Sequence, residues 1–160
     1  MRPIFVFDGD CAFCSRCAGF IERRIHTPAQ VVAWQRLDLP AHGLTADACA
    51  DAVQWVGADG AVAAGPVAIA RLLRHATGVG GRLLWRPAGS LLGTRWALAL
   101  AWPAYRWVAR NRHRMPGGTA ACAVPTNLPW PGPAPGPGAG AARPESVPAA
   151  GSSTTPPAAG

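Results

Sequence analysis

The stretch that decides the fold is PIFVFDGDCAFCSRC, residues 3–17. It opens with PIFVF (3–7), a short apolar run rich in β-forming residues that ends at Asp8, which is typical of a buried strand. From Cys14 onward, the apolar residues recur at helical spacing instead. The stretch therefore predicts a strand that passes almost directly into a helix, with Cys11 and Cys14 at the junction.

The sequence after this junction predicts a mixed α/β domain. The predicted elements are a first helix ending near His26, a strand QVVAWQRL (30–37), a short helix (46–51) capped by Thr45, a hairpin turning at Asp59 and Gly60, and a helix (66–78). Their order is βαβ, helix, ββ, α. This is the order of a thioredoxin-like fold, so we expect that fold for residues 1–81.

The charge of +7 is concentrated in one segment. Residues 1–81 hold seven Arg and seven acidic residues, whereas residues 82–116 hold seven Arg and no acid. The apolar spacing in this second segment predicts basic helices packed on the core, broken near Trp102 and Pro103. Its apolar run is too short for a spanning helix, which needs about 20 apolar residues.

The rest of the chain, residues 117–160, has a different composition. It consists mostly of Pro, Gly, Ala, Ser and Thr. Such a segment has too little apolar surface to offset the entropy lost on ordering. We therefore expect a disordered tail.

Cys11 and Cys14 have the CxxC spacing of a redox pair, and their position suits that chemistry. Unpaired N–H groups and the helix dipole at a helix N-terminus favour the thiolate, and can bring a cysteine pKa down to between about 3.5 and 7.5. The thiolate is the attacking species in disulfide exchange. We expect Cys11, exposed in the loop, to be the nucleophile and the more buried Cys14 to be the resolving thiol, without a bound cofactor.

Two other interpretations of the cysteines stay open from spacing alone. Cys11, Cys14 and Cys17 resemble the start of an iron–sulfur run, with Cys49, His26 or Cys122 as a distant fourth ligand, although the fourth cysteine of that run is missing. Alternatively, the three cysteines are small core residues. Cys17 lies on the apolar side of its helix and is expected to be buried.

Three segments together resemble a known family. They are FDGDCAFC (7–14), GPVAIARLL (65–73) and YRWVARNRHRM (105–115). In order and spacing they are similar to the DCC family of thiol-disulfide oxidoreductase-like proteins, whose Asp and two Cys correspond here to Asp8, Cys11 and Cys14. The resemblance implies a thioredoxin-like fold and dithiol-disulfide activity on protein or small-molecule thiols and disulfides.

Asp8 is the third candidate catalytic residue. A carboxylate beside a thiol pair can accept a proton or orient the cysteine loop, although a nearby anion also raises a thiol pKa. The alternative is that Asp8, Gly9 and Asp10 form a turn, with Asp10 as the helix cap. Gly9 is expected where the backbone makes an unusual angle or a close approach.

The basic segment suggests a partner other than a substrate. Arg106, Arg110 and Arg114 recur every four residues beside aromatic side chains, a pattern that suits peripheral contact with an anionic membrane. No nucleic-acid recognition motif is present, so nucleic acid is not an expected partner. No secretory signal pattern is visible, which predicts a cytoplasmic location. A non-enzymatic binding module acting through the basic helices, at a membrane or on a protein, is the alternative function.

Overall fold

The computed structural model describes residues 1–115, and these contain one four-stranded sheet. The strands are β1 (Ile4–Phe7), β2 (Gln30–Ala33), β3 (Gln54–Val56) and β4 (Val62–Ala64), in the spatial order β2-β1-β3-β4. β1 pairs in parallel with β2 and antiparallel with β3, and β3 pairs antiparallel with β4. The mixed α/β class is confirmed.

The two helices that the sequence predicts before the hairpin are present. Helix α1 (Ala12–Arg24) makes the crossover from β1 to β2. Helix α2 (Ala46–Asp51) begins after Thr45, whose hydroxyl accepts a hydrogen bond of 3.2 Å from the N–H of Ala48. The Thr45 cap is therefore confirmed.

The hairpin and the helix after it also agree with the sequence pattern. Gly60 in the turn between β3 and β4 has φ of +79°, a left-handed conformation that glycine adopts without strain. Helix α3 (Gly65–Arg74) carries Pro66 in its first turn, where proline has no N–H that needs a partner.

The core lies on both faces of the sheet. Phe5 and Trp55 are register partners on one face and pack with Leu72 of α3. Val6 and Val56 point to the other face, and pack with residues of α2 and of the loop before it. This alternation follows from the two-residue period of a strand.

Strand β2 is shorter than the predicted strand 30–37. Its last pair is Phe7 with Ala33, and a turn of 3₁₀ helix, Trp34–Arg36, follows at once. Since β1 ends at Phe7, a longer β2 would have no neighbour to pair with. The sequence pattern alone cannot reveal where the neighbouring strand ends.

The C-terminal part of the described chain is helical. After α3 come a short helix α4 (Gly78–Gly80), a π-helical turn (Gly81–Trp85), α5 (Arg86–Leu92) and α6 (Arg95–Asn111). Both α5 and α6 contact α3. None of the helices in residues 1–115 has the length and hydropathy that a membrane-crossing segment needs.

The predicted break near Trp102 and Pro103 is wrong. The chain breaks at Gly93 and Thr94 instead, and α6 continues through Pro103 for 17 residues. Pro103 lies on the exposed side of α6, where the carbonyl that loses its N–H partner can turn to water. The expected tail, residues 117–160, lies outside the described residues.

Candidate active site at the start of α1

Asp8 stands at the end of β1 and is buried, with 7% of its surface exposed. Its Oδ1 accepts hydrogen bonds from Nε2 of Gln35 at 3.0 Å and from the N–H of Asp10 at 3.1 Å. Its Oδ2 lies 3.8 Å from Nη2 of Arg112. A buried carboxylate needs such partners, and their number fixes the position of Asp8.

Gly9 holds the loop close to the strand beside it. Its N–H donates to Oε1 of Gln35 at 3.0 Å, and a Cβ at this position would lie only 2.8 Å from Cβ of Ala33. The carbonyl of Gly9 accepts a hydrogen bond of 3.2 Å from the hydroxyl of Ser15 in α1. The predicted need for a close approach at Gly9 is confirmed.

Cys11 is the N-cap of α1. Its Sγ accepts a hydrogen bond from the N–H of Cys14, with 3.4 Å between sulfur and nitrogen. Asp10 was the expected cap, and that expectation is wrong because α1 begins at Ala12, so that Cys11 and not Asp10 holds the N-cap position. The sulfur of Cys11 therefore faces the positive end of the helix dipole.

The expected exposure of Cys11 is also wrong, since its exposed fraction is 0%. As an N-cap, its side chain folds back over the first helical turn. Cys14, expected to be the more buried of the two, is only half-buried. Cys11 is disulfide-bonded, whereas Cys14 is a free thiol. The two CxxC sulfurs are neighbours that are not bonded to each other.

Cys14 lies between opposite electrostatic influences. Burial raises the pKa of the Cys14 thiol above its ordinary value, and the anionic Asp8 adds to the rise. The guanidinium of Arg112 acts in the other direction, with Nη1 at 3.6 Å from Sγ of Cys14. Arg112 thus stabilises the thiolate of Cys14, whereas the partly apolar surroundings of Cys14 destabilise it.

Arg112 is the residue of the candidate site that sequence reasoning missed. It is 6% exposed, and its Nη2 also donates to the carbonyl of Ala50 at 2.8 Å. It follows Cys14 by 98 positions, and in the sequence it is one of several arginines in a basic segment. The only signal that could have found it is its place in the YRWVARNRHRM segment (105–115) that resembles the family.

A cavity of about 400 Å³ opens beside Cys14. Its walls are mostly apolar side chains from β1, α1, α3 and α6, together with Asp8, Cys14 and Arg112. Tyr105 lines it too, and its hydroxyl accepts a hydrogen bond of 3.1 Å from the N–H of Val53. Burial raises the pKa of Tyr105 to about 12, so its hydroxyl stays neutral at physiological pH. The size and lining suit a small ligand or the apolar part of a larger one.

The two other described cysteines, Cys17 and Cys49, differ in solvent exposure. Cys17 is exposed, so its predicted burial is wrong, whereas Cys49 is buried. Burial raises the pKa of Cys49 to about 11, which keeps it a thiol at neutral pH. Within residues 1–115, no three His, Cys, Asp or Glu side chains are grouped as a metal site would need. Cys122 lies outside the described residues.

The structure separates the three arginines expected to contact a membrane from the site. Arg110 and Arg114 are exposed, and Arg106 is half-buried. Only Arg112 of this basic segment reaches Asp8 and Cys14.

We expect the two charges beside Cys14 to act in opposite directions on its reactivity. Removing the cation in Arg112→Gln raises the pKa of Cys14 further, whereas removing the anion in Asp8→Asn lowers it. Alkylation requires the thiolate, so its rate profile shifts to higher pH in the first variant and to lower pH in the second. The measurement is the rate of Cys14 alkylation by iodoacetamide against pH, followed by peptide mass spectrometry.

For Arg112→Gln the expected loss at neutral pH is on the order of ten- to a hundredfold, since a hydrogen bond to a charged group contributes about 1.5–3 kcal/mol. Arg110→Gln is the matched control, because Arg110 is exposed on the same helix. Its profile should follow that of the unmodified protein. Shifts in the same direction for Asp8→Asn and Arg112→Gln would show that packing, and not charge, controls Cys14.

Comparison with known families agrees with this geometry. A family model described as DCC1-like thiol-disulfide oxidoreductase matches residues 5–118. The chain belongs to this family. Its redox character and its thiol or disulfide substrates fit the neighbouring cysteines of the site. The resemblance of the FDGDCAFC segment (7–14) to the DCC family is therefore confirmed. No curated protein and no solved structure matches the chain.

Proposed function

We propose that this DCC1-like protein exchanges thiols and disulfides through Cys11 and Cys14. The observation that carries the proposal is the contact between the two residues, in which the N–H of Cys14 donates to Sγ of Cys11 at the N-terminus of α1. This geometry favours negative charge on the first sulfur. The βαβ and ββα order of the chain supports a thioredoxin-like fold for residues 1–81.

In the proposed mechanism, a thiol reductant first cleaves the disulfide that holds Cys11 and leaves Cys11 as a thiol. The thiolate of Cys11 then attacks one sulfur of a substrate disulfide, and the other sulfur leaves as a thiolate. Cys14, whose raised pKa keeps it a thiol until that point, loses its proton and attacks Cys11 in the mixed disulfide. The second substrate thiol leaves. The substrate disulfide has gained two electrons, and the protein has lost two in forming a Cys11–Cys14 disulfide.

The roles of the surrounding groups follow from their contacts. Arg112 stabilises the Cys14 thiolate in the resolving step, and Asp8 holds Arg112 in place and can accept the proton of Cys14. Since Cys11 is buried, the attack also requires local opening at the start of α1. The mechanism uses no bound cofactor, and a cytoplasmic location stays a prediction.

The test is a redox titration of the full chain in mixtures of reduced and oxidised glutathione, with the disulfides mapped by mass spectrometry. We expect a Cys11–Cys14 disulfide to appear with a single midpoint potential. The Cys17→Ser variant should give the same midpoint, since Cys17 has no part in the proposed exchange. A Cys14 thiol that stays reduced at every potential would refute the proposal.

The second candidate function is a binding module without catalysis, acting through the basic helices of residues 82–115. The observation that favours it is the excess of arginine in this segment, with Arg110 and Arg114 exposed. One variant distinguishes the two candidate functions. A binding module keeps its function in Cys11→Ser, whereas an oxidoreductase loses it.

A further inference from the structure

Large apolar side chains are exposed mainly in one part of the described chain. Of the ten that are exposed within residues 1–115, seven lie between positions 79 and 107: Val79, Leu83, Leu84, Leu91, Trp96, Leu100 and Trp107. Single exposed apolar residues are normal on a protein surface, but a concentration of this kind indicates an interaction site.

Helix α6 arranges part of this set in a line, which we call the α6 stripe: Trp96, Leu100, Pro103 and Trp107. Trp96 and Trp107 are each 61% exposed, and Leu100 is 71% exposed. Their spacing of four, three and four residues places them on one face of a helix. Because α6 is continuous through Pro103, the two tryptophans lie on the same side of the protein.

The charge around the α6 stripe has one sign. Arg110 and Arg114 continue the line beyond Trp107 at helical spacing, and both are exposed. Arg95 is exposed next to Trp96. Residues 82–116 contain no Asp or Glu, so no acidic side chain of this segment neutralises the arginines.

We propose that the α6 stripe docks on the surface of a lipid bilayer that carries anionic headgroups. Tryptophan and leucine enter the boundary between headgroups and acyl chains, while the arginines extend to the phosphates. Each arginine near an anionic surface adds attraction that salt weakens. Nucleic acid would match the arginines alone, whereas a bilayer also matches the apolar line between them. Docking here is independent of the exchange proposed for Cys11 and Cys14.

The test is co-sedimentation of the full-length protein with vesicles of phosphatidylcholine, alone or mixed three to one with phosphatidylglycerol. We expect binding to the anionic vesicles that weakens as salt is added, and little binding to the neutral ones. The double variant Leu100→Ser/Trp107→Ser should partition at least about tenfold less well, since burying such a side chain contributes about 1.5–3 kcal/mol. Val62→Ser is the matched control, because Val62 is an exposed apolar residue of β4.

A second variant, Arg110→Gln/Arg114→Gln, keeps the test valid if the first one folds poorly. It should lose the preference for anionic vesicles and keep its unfolding midpoint. Unchanged partitioning in both variants would overturn the proposal. So would a dimer that dissociates in the Leu100→Ser/Trp107→Ser protein, because the stripe would then be covered by a second copy. Tighter binding to RNA than to anionic vesicles would likewise overturn it.

Discussion

Replacing Cys11 by serine is expected to reduce catalysed disulfide exchange to the uncatalysed rate. A serine hydroxyl forms no mixed disulfide, so the first step of the mechanism has no nucleophile. Cys14→Ser should stop at the mixed disulfide on Cys11 when no external thiol is present, because that disulfide then has no resolving thiol. The measurement for Cys11→Ser is the rate of reduction of an aromatic disulfide with dithiothreitol as the electron donor. For Cys14→Ser it is the number of aromatic thiols that the pre-reduced protein releases from each disulfide without dithiothreitol, which should be one instead of two.

Cys17→Ser is the matched control for these two variants. Cys17 lies one helical turn after Cys14 and is a free, exposed thiol. Its replacement should leave the rate close to that of the unmodified protein. An active Cys11→Ser protein would remove Cys11 from the mechanism, and an inactive Cys17→Ser protein would mean that the wrong pair has been assigned.

Trp55→Ala is expected to destabilise the fold by about 3–5 kcal/mol, the usual cost of removing a large buried aromatic side chain. Trp55 is 1% exposed and packs with Phe5 and Leu72, and its ring lies 4.8 Å from that of His75. Such a loss is a large part of the roughly 5–15 kcal/mol that stabilises a typical domain. The measurement is the free energy of unfolding from urea denaturation.

The control for this prediction is Trp107→Ala, which makes the same chemical change on a largely exposed side chain of α6. Its effect on the free energy of unfolding should stay within about 0.5 kcal/mol. Equal losses for the two variants would contradict a core centred on Trp55.

Local patterns in the sequence are sufficient for much of the sheet and its first helices. The apolar run before Asp8, the Thr45 cap and the Asp59 and Gly60 turn each depend on neighbouring residues, and each lies where it was predicted. The length of β2 depends instead on where β1 ends. The pairing of β1 with β2 joins residues that are distant in the sequence, and the apolar periodicity of one segment gives no information about it.

The candidate site also has one part that local sequence patterns predict and another that depends on contacts between distant residues. The CxxC spacing places Cys11 and Cys14 at the start of α1, and the DCC resemblance adds Asp8. The role of Arg112 arises from the packing of the C-terminal helical segment near the start of α1, and no local pattern distinguishes this arginine from Arg110 or Arg114. The burial of Cys11 could not be predicted either, because residue spacing indicates where the helix begins but not which distant residues pack over a side chain.

The most direct test of the central claim, that Cys11 attacks and Cys14 resolves, is to trap the intermediate. The Cys14→Ser protein is first reduced and separated from the reductant, so that Cys11 is a thiol, and is then incubated with a disulfide substrate. The adduct is located by peptide mass spectrometry without a reducing agent. Our account predicts a stable mixed disulfide on Cys11. An adduct confined to Cys17, or no adduct at all, would contradict it.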